Sequence, residues 1–316
     1  MPYQLINADC FVWMDEQAEN TITAIVTDPP YGVKEYTEAE LEKQRKGKGG
    51  IWRIPPSFDG HTRQALPRFS VINDDPQERE NVFLFFYNWG KKAMRLLVPG
   101  GHVFIASTPL LSDIVSRAMR EAGFERRGEI IRMVSTLRGG DRPKGAEKEF
   151  SETSVIPKGL WEPWGLYRKP ISEKTVADNL RKWRAGALKR ESVDTPFCDL
   201  FASQKTPKLE REIAPHPSIK PQDFLRKMVY ASLPLGEGTI LDPFSGSGST
   251  LAAAEHFGFN SIGIEKDKAF YEMGINAIPR LAKLYPKQLT FSERTENTPE
   301  PEEDRKSSFD TRAISM

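Results

Sequence analysis

The chain has 316 residues, with 45 Lys+Arg against 44 Asp+Glu and a net charge of +1; this excludes a protein that coats nucleic acid by overall basicity, though not local basic patches. Hydrophobic residues at 38% and charged residues at 28% fit a globular chain of one large or two small domains, and a mean hydropathy of −0.52 with no apolar run near the roughly 20 residues of a membrane span argues against a membrane protein. Two cysteines, Cys10 and Cys198, and four scattered histidines are too few for a disulfide framework or a zinc cluster, so no metal is expected.

Met1 to Cys10 has neither the basic start nor the apolar core of a signal peptide, so the expected compartment is the cytoplasm. Ile22 to Thr27 is a short β-branched run stopped by Asp28-Pro29-Pro30, which predicts a buried strand. Residues 78–98 predict a long helix, then a turn at Pro99-Gly100-Gly101, then a strand over His102–Ser107. Leu111, Ile114, Val115, Ala118, Met119 and Ala122 recur at helical spacing, with Gly123 placed to end the helix. Farther on, Pro221 opens a helix whose buried face carries Phe224, Leu225, Met228 and Val229. Thr239–Leu241 is a strand, an Ala-rich helix closes at Gly258, Ser261–Ile264 is a strand, and a helix starts near Asp267. Strand and helix in alternation predict an α/β fold with a parallel sheet. Residues 33–77 and 136–215 break this rhythm. Residues 292–316 carry seven acidic and four basic side chains and read as a disordered acidic tail.

Two motifs carry chemistry. Thr27-Asp28-Pro29-Pro30-Tyr31-Gly32 follows a strand, and in open α/β sheets reactive groups gather at carboxyl strand ends. Asp28 and the Pro29 carbonyl can accept both hydrogens of one NH2 group, and Tyr31 can stack on the flat ring that bears it. Such a pair of acceptors pushes electron density onto an otherwise poorly nucleophilic nitrogen. The bland alternative is a proline-rich turn with a surface tyrosine. The second motif, Asp242-Pro-Phe-Ser-Gly-Ser-Gly-Ser249, joins a strand to a helix. Gly246 and Gly248 permit close approach of a ligand, the helix start supplies N–H donors, and Glu265 ends the next strand where an acid can grip a ribose diol. Leu251 stands where a dinucleotide motif has its third glycine, which counts against NAD or FAD; a purely structural glycine turn is the other alternative.

Together these motifs resemble the amino-methyltransferases of DNA, which act on N6 of adenine or N4 of cytosine. The catalytic motif precedes the cofactor motif, as in the circularly permuted β group of that family. Asn7-Ala8-Asp9-Cys10, Val98-Pro-Gly-Gly101 and His216-Pro-Ser-Ile-Lys-Pro221 resemble further family segments. The resemblance spans residues 5–275. It implies a Rossmann-like methyltransferase fold with a mostly parallel seven-stranded sheet, helices on both faces and an inserted target-recognition region. It implies S-adenosylmethionine as cofactor and double-stranded DNA as partner. Asp28, Pro29, Pro30 and Tyr31 would form the catalytic motif. Asp9, His216, Ser218, Lys220, Asp242, Phe244, Gly246, Ser247, Gly248 and Glu265 would hold the cofactor, with Lys220 near its methionine part. For Asp9 an ordinary turn acid, for Lys220 a solvated lysine and for His216 a local structural role stay open. Cys10 reads as a buried small hydrophobe. In the family, Asp at the Asp28 position is more usual for adenine, so N6-adenine is expected ahead of N4-cytosine. RNA or protein-amide methylation and a DNA-binding relative without turnover are the competing readings.

The resemblance divides the chain into a catalytic half at 1–135 with a loop at 33–77, target recognition at 136–215, a cofactor half at 216–291 and the tail. Three basic clusters fall in the irregular regions and are candidates for DNA phosphates: Lys46, Lys48 and Arg53; Arg138, Arg142 and Lys144; Arg181, Lys182 and Arg184. Solvated faces are the plain alternative. The tryptophans at 161, 164 and 183 serve equally as wedges or as the core of a small subdomain. A companion restriction endonuclease or a solitary, phage-borne enzyme, and a monomer or a homodimer, are all compatible with this sequence.

Overall fold

The strand Ile22–Thr27 (β2) is buried at every residue, because it lies inside the sheet and is covered on both faces. In the computed structural model, residues 3–30, 76–136 and 143–285 are described, apart from 144, 147, 156, 158 and 217. Tyr31, the 33–75 part of the loop region, Arg138, Arg142, Lys144 and the 292–316 tail lie outside the described residues, and with the loop go Lys46, Lys48 and Arg53.

The elements up to Leu284 run β1 (Tyr3–Asn7), α1 (Cys10–Glu16), β2, α2 (Pro76–Leu96), β3 (Leu97–Ala106), α3 (Ser112–Glu121), β4 (Glu125–Thr136) and β5 (Gly159–Arg168). They continue with α4 (Val176–Trp183), β6 (Leu200–Ala202), α5 (Lys208–Ile213), α6 (Gln222–Ser232), β7 (Thr239–Asp242), α7 (Ser249–His256), β8 (Asn260–Glu265) and α8 (Lys268–Ala282). Among the described residues the sheet has eight strands in the order β1-β8-β7-β2-β3-β5-β4-β6, one more than the expected seven. The extra edge strand, β6, is three residues long, too short for periodicity to reveal. Only β5 pairs antiparallel with its neighbours. Because β5 runs backwards, its beginning reaches the sheet edge at which the other strands end.

Alternation across the pleat sends side chains to two cores. Ile25, Val103, Ile105 and Leu241 pack under α1, α2 and α3. Ala24, Val26, Phe104 and Ile240 pack under α6 and α7 on the opposite face. Helices therefore cover both faces, as expected of this α/β class. No helix among the described residues is long and apolar enough to cross a membrane.

One expectation is corrected. Pro99-Gly100-Gly101 is not a turn before a strand but a wide bulge inside β3: Ile22 pairs with Leu97, and two residues later Ala24 pairs with His102. Gly100 takes φ +83° there, a conformation that favours glycine. Within the span 136–215, β5 and β6 are strands of the same sheet. Trp164 is fully buried in the core beside Phe224, whereas Trp161 is partly exposed.

Asn179 of α4 fastens the bulge. Its amide donates to the carbonyls of Pro99 at 2.9 Å and Ala185 at 2.7 Å and accepts from the Ser172 N–H at 3.2 Å. Asn179→Ala leaves buried carbonyls without donors and should destabilise the fold by about 2–4 kcal/mol. A lower denaturant midpoint at constant slope is the expected outcome; an unchanged midpoint contradicts this role.

Candidate functional site

The candidate site forms where β2, β7 and β8 end side by side. β7 stops at Asp242 and β8 at Glu265, and Asp28 directly follows β2. A cleft open to solvent lies there, lined by Asp28, His216, Lys220, Asp242, Ser245 and Gly246 among others.

The Asp242 carboxylate is the floor. It accepts from the Thr27 hydroxyl at 2.7 Å and the Phe244 N–H at 3.2 Å, which ties β7 to β2. Burial, with help from the nearby Asp28 charge and against those hydrogen bonds, pushes its pKa up to about 6. Gly246 turns the chain at φ +53°, and a Cβ there would come within 3.0 Å of the His216 ring. Its N–H donates to Glu265 Oε2 at 2.8 Å, while Oε1 accepts the Asp267 N–H at 2.7 Å. Two backbone donors thus orient Glu265 with lone pairs to spare. The Ser245 hydroxyl is buried beside the cleft with no hydrogen-bond partner among the described residues. His216 stacks edge-on against Phe270 at 4.3 Å and accepts the Ser218 N–H at 3.2 Å. Burial, then the Lys220 charge, lowers its pKa to about 4, so the ring is neutral at physiological pH.

Lys220 reaches across to Asp28. Its ammonium donates to Asp28 Oδ2 at 2.5 Å and lies 3.6 Å from Glu162 Oε2. Burial pulls its pKa down, but Asp28 and Glu162 outweigh burial and hold it above the ordinary lysine value. The sequence placed Lys220 with the cofactor; the fold pairs it with Asp28.

Eight predicted residues meet at the cleft: Asp28, His216, Ser218, Lys220, Asp242, Phe244, Gly246 and Ser247. Glu265 stands one hydrogen bond behind it. Pro29 is buried next to Asp28, and Pro30 is exposed. Gly248 does not line the cleft; it takes φ +81° as the residue before α7, and a Cβ there would strike Ile278 of α8. Asp9 caps α1 through the Phe11 N–H at 2.9 Å and pairs with Lys266 at 2.9 Å, which gives it a structural task. The Cys10 thiol is buried and pushed up to about 12, chiefly by burial, so it is no nucleophile.

Arg181, Lys182 and Arg184 are not brought to the cleft. The end of α4 packs at the bulge near the start of β3, so these residues sit at the opposite edge of the sheet. Each is exposed and paired: Arg181 with Asp178, Lys182 with Glu173, Arg184 with Glu237. The sequence reading missed Glu162 and Arg132, a directly opposed pair on β5 and β4. A charge next to apolar neighbours, Arg132 after Ile130-Ile131 and Glu162 after Leu160-Trp161, was the signal available. No cluster of metal-ligating side chains occurs among the described residues.

Comparison with known proteins decides the family. A family model described as DNA methylase matches residues 22–276. The chain belongs to the DNA methylase family. The methylase is 24% identical over 295 residues to the Type II methyltransferase M.HindIII of Haemophilus influenzae, covering 87% of this chain and 94% of that protein. It is 23% identical to the Type II methyltransferase M2.MboI of Moraxella bovis, covering 86% and 85%. Among solved structures, a putative DNA modification methylase of Thermus thermophilus complexed with S-adenosyl-L-methionine matches with a TM-score of 0.55 at 19% identity, over 90% of this chain and 96% of that one. PvuII DNA methyltransferase, cytosine-N4-specific, matches with a TM-score of 0.57 at 11% identity, over 89% and 91%. At these identities the structural matches establish the fold.

The raised pKa of Asp242 has a thermodynamic consequence. Its folded pKa of about 6 exceeds the ordinary 3.8, so its favourable contribution is complete below pH 3.8 and is lost as pH rises through 6. Asp242→Asn should therefore stabilise the free methylase by on the order of 1–3 kcal/mol at about pH 7.5, and by much less at about pH 4. Denaturant midpoints at the two pH values check this; an offset independent of pH contradicts it.

Proposed function

We propose that the methylase transfers the methyl group of S-adenosylmethionine to the N6 amino group of adenine in double-stranded DNA. The observation that carries this reading is Asp28 with buried Pro29, at the rim of the cleft that holds Asp242 and Gly246. DNA is the substrate of the family, and Asp at the first position of the catalytic motif favours adenine by resemblance.

The cleft suits the cofactor. Glu265, held by two backbone N–H groups, offers acceptors for a ribose diol. The Ser245 hydroxyl and the start of α7 offer donors for the methionine carboxylate. When bound, the cofactor supplies an electrophilic methyl on a sulfonium. Asp28 and the Pro29 carbonyl would hold the amino group in line for direct displacement, and the work of the protein is positioning and electrostatics. An amino group inside a duplex is stacked and paired, so the base must first be extruded, at a cost of a few kcal/mol. Tyr31 would stack on the flipped ring.

Within 136–215 target recognition belongs, on this reading, to residues 137–158, which join the site-side ends of β4 and β5. The 1–135 and 216–291 segments supply the catalytic and cofactor halves. The kinship to Type II methyltransferases favours a companion restriction endonuclease.

Two substitutions separate the roles. Asp28→Ala should lower methyl transfer at least about 100-fold while cofactor affinity by calorimetry stays within about twofold. Glu265→Ala should weaken the cofactor about 10-fold or more, the cost of a lost charge-assisted hydrogen bond. Activity surviving in Asp28→Ala contradicts the catalytic assignment, and unchanged affinity in Glu265→Ala contradicts the ribose role. For the base, a duplex whose adenines are replaced by purine, which lacks the amino group, should take up no label from methyl-labelled cofactor. Uptake there would place the methyl on cytosine.

A further inference from the structure

Four buried charges of alternating sign run away from the catalytic carboxylate. Asp28, Lys220, Glu162 and Arg132 have side chains 17%, 10%, 13% and 5% exposed. Lys220 lies 2.5 Å from Asp28 and 3.6 Å from Glu162, and Glu162 lies 3.4 Å from Arg132. The far end is fixed. Arg132 donates to the Ser203 hydroxyl at 3.0 Å and the Gln204 carbonyl at 2.9 Å, and its guanidinium lies over the Phe224 ring. Glu162 Oε1 accepts the Trp164 indole N–H at 2.7 Å. Between two anchored carboxylates, Lys220 alone has a long flexible stem and a compact charge that can serve either.

The reaction moves positive charge from the cofactor sulfonium onto the nitrogen held by Asp28. An ammonium on Asp28 Oδ2 opposes that charge and occupies part of the acceptor capacity the amino group needs. The same ammonium is useful before the base arrives, because an uncompensated buried carboxylate is costly. These demands conflict unless the lysine has a second seat.

We infer that Glu162 is that seat: a positioning residue that takes the Lys220 ammonium off Asp28 as the target base enters, leaving the carboxylate to the amino group. The move is short, because Glu162 Oε2 is already 3.6 Å from the ammonium. The pairs stay matched throughout, because Glu162 lies beside Arg132 at 3.4 Å whichever carboxylate holds the ammonium. The inference rests on Asp28 being the acceptor for the target amino group.

The test uses full-length protein, saturating cofactor and single-turnover methyl transfer to DNA. Glu162→Gln keeps the shape and the acceptor for Trp164 but removes the second seat. Its rate should fall roughly 10- to 100-fold, with cofactor affinity within about twofold. Adding Lys220→Met removes the ammonium left on Asp28, so the double variant should be faster than Glu162→Gln alone. A merely structural Glu162 would make the double variant slower. A wild-type rate in Glu162→Gln, or a double variant slower than the single, overturns the inference. If Glu162→Gln does not fold, Lys220→Met alone is compared with wild type on duplex that keeps adenine at the target and carries 2-aminopurine next to it, whose fluorescence rises as the adenine leaves the stack. A larger fluorescence rise in the variant supports the inference; an equal or smaller rise overturns it. Asp28→Ala run in parallel separates the two failures, since activity there would fault the acceptor assignment rather than the role of Glu162.

Discussion

The ion pair between Asp28 and Lys220 joins two segments of the methylase that lie far apart in sequence. Asp28 follows a strand with no exposed residue, and Lys220 precedes α6, 192 residues later. A carboxylate so placed is costly without a cation, and a buried lysine is costly without an anion. Each makes the other tolerable, and the pair sets the mouth of the cleft. The sheet order follows the same logic. β7 lies beside β2, so Asp242 reaches the Thr27 hydroxyl, and the Asp28-Pro29 and Asp242–Ser249 motifs meet although they lie more than 200 residues apart.

The antiparallel strand β5 gives the site its third charged wall. Because β5 starts where its neighbours finish, Glu162 near its beginning lies level with the end of β3: the Ser107 N–H donates to the Pro163 carbonyl at 2.9 Å. A parallel strand in this place would deliver its far end instead. The antiparallel turn in the sheet therefore supplies Glu162 opposite Arg132, within reach of Lys220.

Much of this was legible in the sequence, for identifiable reasons. β2 was read at its full extent because prolines end it and β-branched residues fill it. The helices around Ile114 and Phe224 were read from apolar residues at helical spacing, and the cofactor turn from glycines that the backbone requires at φ +53° and +81°. β4, β5 and β6 were not legible. β4 carries charges at Glu125, Arg126, Arg127, Glu129 and Arg132 with no period of two, β5 contains a proline, and β6 is too short for any period. The basic run at 181–184 lies away from the cleft, a placement that charge in sequence does not reveal; Asn179 decides it by bonding Pro99. Nor could spacing show that Lys220 would choose Asp28, since that contact depends on the neighbouring of β2 and β7 and on the start of α6.

The most direct test of the account is nucleoside mass spectrometry. Unmethylated double-stranded DNA is incubated with the purified methylase and S-adenosylmethionine, digested, and its nucleosides weighed. The account predicts N6-methyladenine as the product, absent when Asp28→Ala replaces wild type. N4-methylcytosine would overturn the adenine assignment while leaving the site, and no methylated nucleoside from protein that still binds the cofactor would contradict the catalytic reading itself.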